Sequence, residues 1–220
     1  GGTGGTGGFD REGAPGSWGY GIHVVDSTDA SLLDNEVFGI MGGPGAKGGY
    51  SHSGGAGGGA GGVFLSDDSG TAVQGVEVHS ITGGIGGVPG AYGGTDGGGG
   101  PAFGYDLINL GATTFENNIA RGIHQAEGYG TGVSTACFRL RTSDTTKLQN
   151  CSCFDSGLEG LGNGHGVWVD GVYSDAVQLI DSIIFDVAGH CLFSDAQNGP
   201  MTLTAVYSDI FTCAEGQASN

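Results

Sequence analysis

Residues 166–170 read Gly-Val-Trp-Val-Asp, and residues 191–195 read Cys-Leu-Phe-Ser-Asp. The same frame recurs upstream, as Gly21-Ile-His-Val-Val25, Gly62-Val-Phe-Leu-Ser66, Gly104-Tyr-Asp-Leu-Ile108 and Cys137-Phe-Arg-Leu-Arg141. Each copy starts with a small residue. An apolar residue follows, then a variable one, then an apolar one (Ser194 excepted), then a variable one. A two-residue period of this kind describes a strand with one buried face. The apolar starts are Ile22, Val63, Tyr105, Phe138, Val167 and Leu192, which lie 41, 42, 33, 29 and 25 residues apart. The column of Gly and Cys before each start predicts a tight corner where backbones approach closely.

A second strand is expected 10 to 15 residues after each start. The segments begin Leu33-Asp-Asn-Glu, Val73-Gln-Gly-Val, Phe115-Glu-Asn-Asn, Leu148-Gln-Asn-Cys, Leu179-Ile-Asp-Ser and Leu203-Thr-Ala-Val. Asn35, Asn117, Asn118 and Asn150 fall near equivalent places, where Asn tolerates left-handed turns and can ladder its amide between copies. A unit of about 21 to 25 residues cannot bury its apolar face alone, whereas stacked units can. The pattern resembles the right-handed parallel β-helix superfamily, typified by pectate lyases and many bacterial surface proteins. The resemblance implies an all-β fold of about six rungs, roughly 29 Å long at about 4.8 Å per rung. A leucine-rich solenoid would need a helical half that is missing here. A β-sandwich is the other all-β alternative.

Where the spacing is long, the excess is glycine. Residues 42–62 hold 12 glycines in 21, and residues 83–100 hold 11 in 18. Residues 1–8 add GGTGGTGG. Flexible linkers share this composition. The local triplets, GGT-GGT and GGI-GGV, instead fit an extended helix with three residues per turn, two faces bare and one bearing side chains. Each loop is long enough to run out and back, turning at Tyr50-Ser-His-Ser53 or near Ala91-Tyr92. Such loops resemble the polyglycine-II bundles of phage tail-fibre adhesins. The expected organisation is therefore one solenoid domain spanning 1–220. Residues 1–16, 42–62 and 83–100 bundle on one side, and residues 101–220 form compact rungs and a cap.

Acids outnumber bases 23 to 6, giving a net charge of −17. That argues against nucleic acid or an anionic membrane as partner, since both need basic patches. The longest apolar run, near Val177–Val187, is cut by Asp181 and Asp186, so no membrane span is expected. The chain opens without Met or a leader pattern, as expected of a mature product or of the C-terminal piece of a longer protein. Cys137, Cys151, Cys153, Cys191 and Cys213 match no zinc spacing. Their odd number leaves at least one thiol unpaired within the chain. The acidic, Lys-poor, glycine-rich composition fits a secreted or cell-surface protein, where disulfides are permitted.

Solenoid register turns aligned positions into neighbours. The second residues form an outward column, His23, Phe64, Asp106, Arg139, Trp168 and Phe193. An Asp106–Arg139 ion pair and an Arg139–Trp168 cation–π contact are expected. Arg139, Trp168 and Phe193 are candidates for a platform that stacks sugar rings. The fourth residues put Asp170 beside Asp195, flanked by Arg141. Two carboxylates that close can serve as acid and base or hold a cation, calcium being the candidate cofactor. His165 and His190 occupy matching contexts and should stack. Gly164-His165-Gly166 resembles the Gly-His-Gly motif of polygalacturonases. That family's Asn-Thr-Asp run and Asp-Asp pair are missing, so no catalytic role is carried over. The expected function is an extracellular structural or adhesive module, in which open ends stack into a filament or a cell-surface glycan is bound. A β-helix polysaccharide lyase or hydrolase is the alternative. An ice-binding face bearing Thr3, Thr6, Ala56 and Ala60 is a third reading.

Overall fold

The computed structural model describes residues 2, 11–111, 113–126, 133–141, 146–157, 164–170, 176–195, 202–214 and 216–219. The Gly-Thr triplets of residues 3–8, with Thr3 and Thr6, lie outside the described residues. Every regular element described is a strand, and neighbouring strands pair in parallel. Each coil contributes three strands, in the first coil Gly19–Val25, Ser31–Leu33 and Glu36–Phe38. Equivalent strands stack into a front sheet of seven strands and a second and third sheet of six each. The seventh front strand, Gly216–Ser219, begins a further coil. The fold is a parallel β-solenoid of about six rungs, as the repeat predicts.

The front-sheet register follows the sequence frame residue by residue. His23, Phe64, Asp106, Arg139, Trp168 and Phe193 are consecutive partners. The third residues, Val24, Leu65, Leu107, Leu140, Val169 and Ser194, form an inward column. Leu65, Leu107 and Leu140 are fully buried in it. Burial of each such side chain contributes about 1.5–3 kcal/mol, and a parallel stack of like side chains lets every rung share that gain with two neighbours.

The small-residue corner has a steric cause. A Cβ on Gly62 would strike Val78 of the same coil, and one on Gly166 would lie 2.5 Å from Ile184 Cγ2. A Cβ on Gly104 would lie 2.9 Å from the Ala120 Cβ. In the fourth coil the position opposite is Cys153, the register partner of Ala120 and Ile184. There the corner residue is Cys137, and a Cys137–Cys153 disulfide fills the gap. A second disulfide, Cys191–Cys213, crosses the sixth coil. Cys151 is the free, buried cysteine.

The second strand expected from sequence is in fact two, broken by a left-handed residue. Asp34, Gly75, Asn117, Asn150, Asp181 and Tyr207 all have φ between 48° and 65°. Those residues turn the chain from the second sheet into the third. The register places Leu32, not Leu33, beside Val73, and Ala205, not Leu203, beside Leu179. A three-residue strand carries too little pattern to fix its own phase. The Asn amides also act differently from a ladder. Buried Asn118 accepts from Val76 N at 3.0 Å and donates to Val73 O at 2.8 Å, both one coil back. Ser182 plays the same part by accepting from Cys151 N at 3.0 Å.

The glycine segments are hydrogen-bonded at every third residue. Gly42, Gly45 and Gly48 donate to Thr82, Ile85 and Val88. Gly43, Ala46 and Gly49 donate to Ser17, Ala14 and Arg11, in the opposite sense. The returning run repeats this, with Gly54 and Gly57 donating to Thr95 and Gly98, and Gly55 and Gly58 to Ala46 and Gly43. Two of three residues along 42–50 thus donate to neighbouring segments. The third set, Met41, Pro44, Lys47 and Tyr50, is exposed. Pro44 sits in that set, where its missing N–H costs nothing. Glycine is required here for close approach. A Cβ on Gly57 would run into the Gly84 carbonyl, and one on Gly87 into the Ala46 carbonyl. The runs turn at Tyr50–Ser51 and at Ala91–Tyr92, and Tyr50 and Tyr92 pack with ring centroids 4.5 Å apart.

Candidate functional site

The front sheet holds Arg139, His165, Trp168, His190 and Phe193, and Asp170 and Asp195 directly follow two of its strands. Asp106 points out of the coil yet is wholly buried. Arg139 grips it with Nε at 2.9 Å and Nη2 at 2.5 Å. Arg141 Nη2 approaches the same carboxylate at 3.6 Å. The Arg139 guanidinium lies 3.7 Å over the Phe103 ring and 5.8 Å from the Trp168 ring. Phe103 is therefore its main aromatic partner, and sequence reasoning passed it over. Its signal was available, because Phe103 stands one place before the small-residue corner in the outward column that also holds Tyr20 and His165.

Trp168 and Phe193 sit 6.3 Å apart with planes tilted by 55°. Trp168 also contacts Phe103 at 6.0 Å and His165 at 5.9 Å. Both rings are half-buried, so their faces are largely engaged within the protein. Trp168 Nε1 is a buried donor that meets no acceptor. His165 stacks on Phe193 at 4.3 Å and 7°, closer than its 6.1 Å to His190. Burial, with the His190 charge second, pulls the His165 pKa down from 6.5 to about 4. His165 is thus neutral at neutral pH.

Asp170 and Asp195 do occupy adjacent coils. Their backbone N–H groups bond to Leu140 and Val169, each one coil back. Arg141 Nε lies 4.0 Å from Asp170 Oδ2. Among the described residues no group of three or more His, Cys, Asp or Glu is arranged to hold a metal ion. Cys151, pushed up to about 11 by burial, is not a reactive thiol at neutral pH. Of the ice-face residues, Ala56 is exposed, but Ala60 is buried in the core and offers no surface.

The third sheet carries an outward feature that the sequence did not announce. Ser80, Gly122, Asp155, Asp186 and Thr212 form a column of left-handed bulge residues, with φ between 53° and 60°. The bulge throws the side chains of Ser80, Asp155, Asp186 and Thr212 outward beside a ladder of Phe38, His79, Arg121, Phe154, Phe185 and Phe211. Phe154, Phe185 and Phe211 stack face to face at 5.1 and 5.4 Å. A groove of about 380 Å³ runs over Asp155, Asp186 and Thr212, and one of about 260 Å³ joins it at Asp155 and continues to Ser80. His124 Nε2 meets Asp155 Oδ1 at 2.9 Å.

The chain matches no protein-family model, no curated protein and no solved structure. No helix among the described residues is long and apolar enough to cross a membrane. Two disulfides fit an extracellular or otherwise oxidising environment.

Proposed function

We propose that this chain is a rigid extracellular scaffold or adhesive module. In this reading it is a right-handed parallel β-helix whose glycine runs form a polyglycine-II-like array, akin to the glycine-looped proteins of bacterial surfaces. The observation that carries it is the three-residue hydrogen-bond repeat across residues 11–18, 42–59 and 82–101. Ordering so much glycine is entropically costly, and a dense backbone net that rejects any Cβ is what offsets that cost. A fold that spends its longest insertions on stiffness suits a load-bearing or display role. The −17 charge keeps such rods apart from one another in solution, and exposed coil ends offer a route to filaments.

Amide exchange of the purified protein tests the scaffold. Glycine amides at 42, 45, 54 and 57 should exchange at least a hundredfold slower than in an unstructured peptide. Free exchange there would remove the array and the reading with it. Electron micrographs then separate a filament component from an isolated module. The enzyme alternative is tested by turnover of uronic-acid polymers, with and without calcium, comparing the native chain with Asp170→Asn and Asp195→Asn. Turnover lost in either variant would favour the lyase or hydrolase reading over the scaffold.

A further inference from the structure

We propose that the bulge groove on the third sheet binds a linear, uncharged polysaccharide, laid parallel to the solenoid axis. The proposal deepens the adhesive reading and rests on it, but it uses a different face from the Trp168 platform.

The groove exists because of three parallel columns. Alongside it, one residue before each bulge, runs the stacked ladder of Phe154, Phe185 and Phe211, of which Phe154 lines the smaller part. The opposite flank shrinks from Thr82 and His124 in the second and third coils to Gly157, Ala188 and Ala214 in the last three. That loss of side-chain volume opens the larger, 380 Å³ part. Between them, Asp155, Asp186 and Thr212 present one polar group per coil. The φ near 54° at each makes the backbone itself aim them outward.

From Ser80 to Thr212 the column advances four coils, about 19 Å at about 4.8 Å each. Each step is close to the length of one extended pyranose unit. In the fourth to sixth coils a ligand on this surface meets a polar group at each step with a phenyl ring one residue away, and in the second and third it meets Ser80, Gly122 and Arg121. Sugar rings offer hydroxyls for the carboxylates and C–H faces for the phenyl edges, the mixed chemistry usual in ligand grooves. No Lys or Arg lines the larger part, and in the smaller part Arg121 is paired with Glu77 and His124 with Asp155. Asp155 and Asp186 stack in adjacent coils, and like charges so placed repel. A polyuronate would add to that repulsion, so the groove selects uncharged chains.

The test is titration of the whole protein with cello-, manno- and fully N-acetylated chito-hexaose, and with a galacturonate hexamer for contrast, followed by amide chemical shifts. At least one neutral hexamer should bind, shifting amides of Gly157, Ala188 and Ala214. Ala188→Trp should fill the groove and weaken binding at least tenfold. Asp155→Asn and Asp186→Asn keep a residue that tolerates the left-handed conformation, so they should fold normally and still bind at least fivefold more weakly. Trp168→Ala should leave binding unchanged. Unaltered amide shifts in the front strands Thr135–Arg141, Gly164–Val169 and His190–Ser194 report that the coils carrying each variant are folded. The proposal is overturned if no neutral hexamer binds at millimolar concentration, if groove variants bind like the native chain, or if galacturonate binds more tightly. None of these outcomes alters glycine amide protection, so failure here and failure of the scaffold reading are distinct results.

Discussion

At the scale of single residues, the fold is governed by which side chains its corners admit. Gly62, Gly104 and Gly166 are small because Val78, Ala120 and Ile184 of the same coil already fill the space. The small column is visible in sequence, but its cause is not, since the opposing residue sits 16 to 18 positions later. The outward bulge was hidden for a related reason. Asp155 and Gly122 are common turn residues, but Thr212 is β-branched and rare with φ of 54°. No local pattern marks it. His165 supplies a test of burial. Its folded pKa, about 4, lies below the ordinary 6.5, so the fold favours the neutral ring. Stability from this residue is complete above pH 6.5. It declines as pH falls toward 4, because the unfolded chain takes up a proton that the folded one refuses. The full effect is on the order of 3 kcal/mol. His165→Phe keeps the stack on Phe193 without a titrating ring. Urea midpoints measured from pH 7 to pH 4 should fall less in this variant than in the native chain. Parallel declines would show that His165 is solvated.

At the scale of elements, the front strands were legible because five to seven residues of two-fold pattern meet a fixed corner. Every pairing of the second-residue column follows. Strands of the second sheet are only three to five residues long, and their phase slipped at the first and sixth coils. The glycine runs obey a three-residue rule that can be probed with proline. Lys47 belongs to the exposed set along 42–50, whereas the Ala46 N–H donates to Ala14 O at 2.9 Å. Proline's fixed φ suits an extended three-fold helix. Lys47→Pro should therefore be neutral or raise stability by about 0.4–1 kcal/mol through the unfolded state. Ala46→Pro removes a donor, strands the Ala14 carbonyl and should cost about 1–3 kcal/mol. Thermal melts of the two neighbours decide the matter. Equal effects would mean that the run is not held residue by residue.

At the scale of the whole molecule, two kinds of staple divide the solenoid. Glycine runs tie the first three coils, and disulfides tie the fourth and sixth. In a stack where each coil touches only its neighbours, stability is a sum of local terms. Damage to one staple should therefore stay local. Cysteine pairing was beyond sequence reasoning, since five cysteines allow many connectivities and only the register brings Cys137 over Cys153. That register also supplies a replacement. Cys137→Gly with Cys153→Val rebuilds in the fourth coil the Gly62–Val78 pair of the second. The double variant should lose the cross-link, worth about 3 kcal/mol for a loop of this length, while keeping a filled interior. Cys137→Ala with Cys153→Ala loses the same cross-link and leaves a cavity, so it should be less stable by a further 1–2 kcal/mol. In both, amide exchange should quicken from the fourth coil toward residue 219, while the glycine amides at 42–58 keep their protection. Uniform loss of protection along the chain would mean that the coils unfold as one cooperative unit. Equal stability of the two variants would mean that the gap beside Cys153 closes without a side chain to fill it.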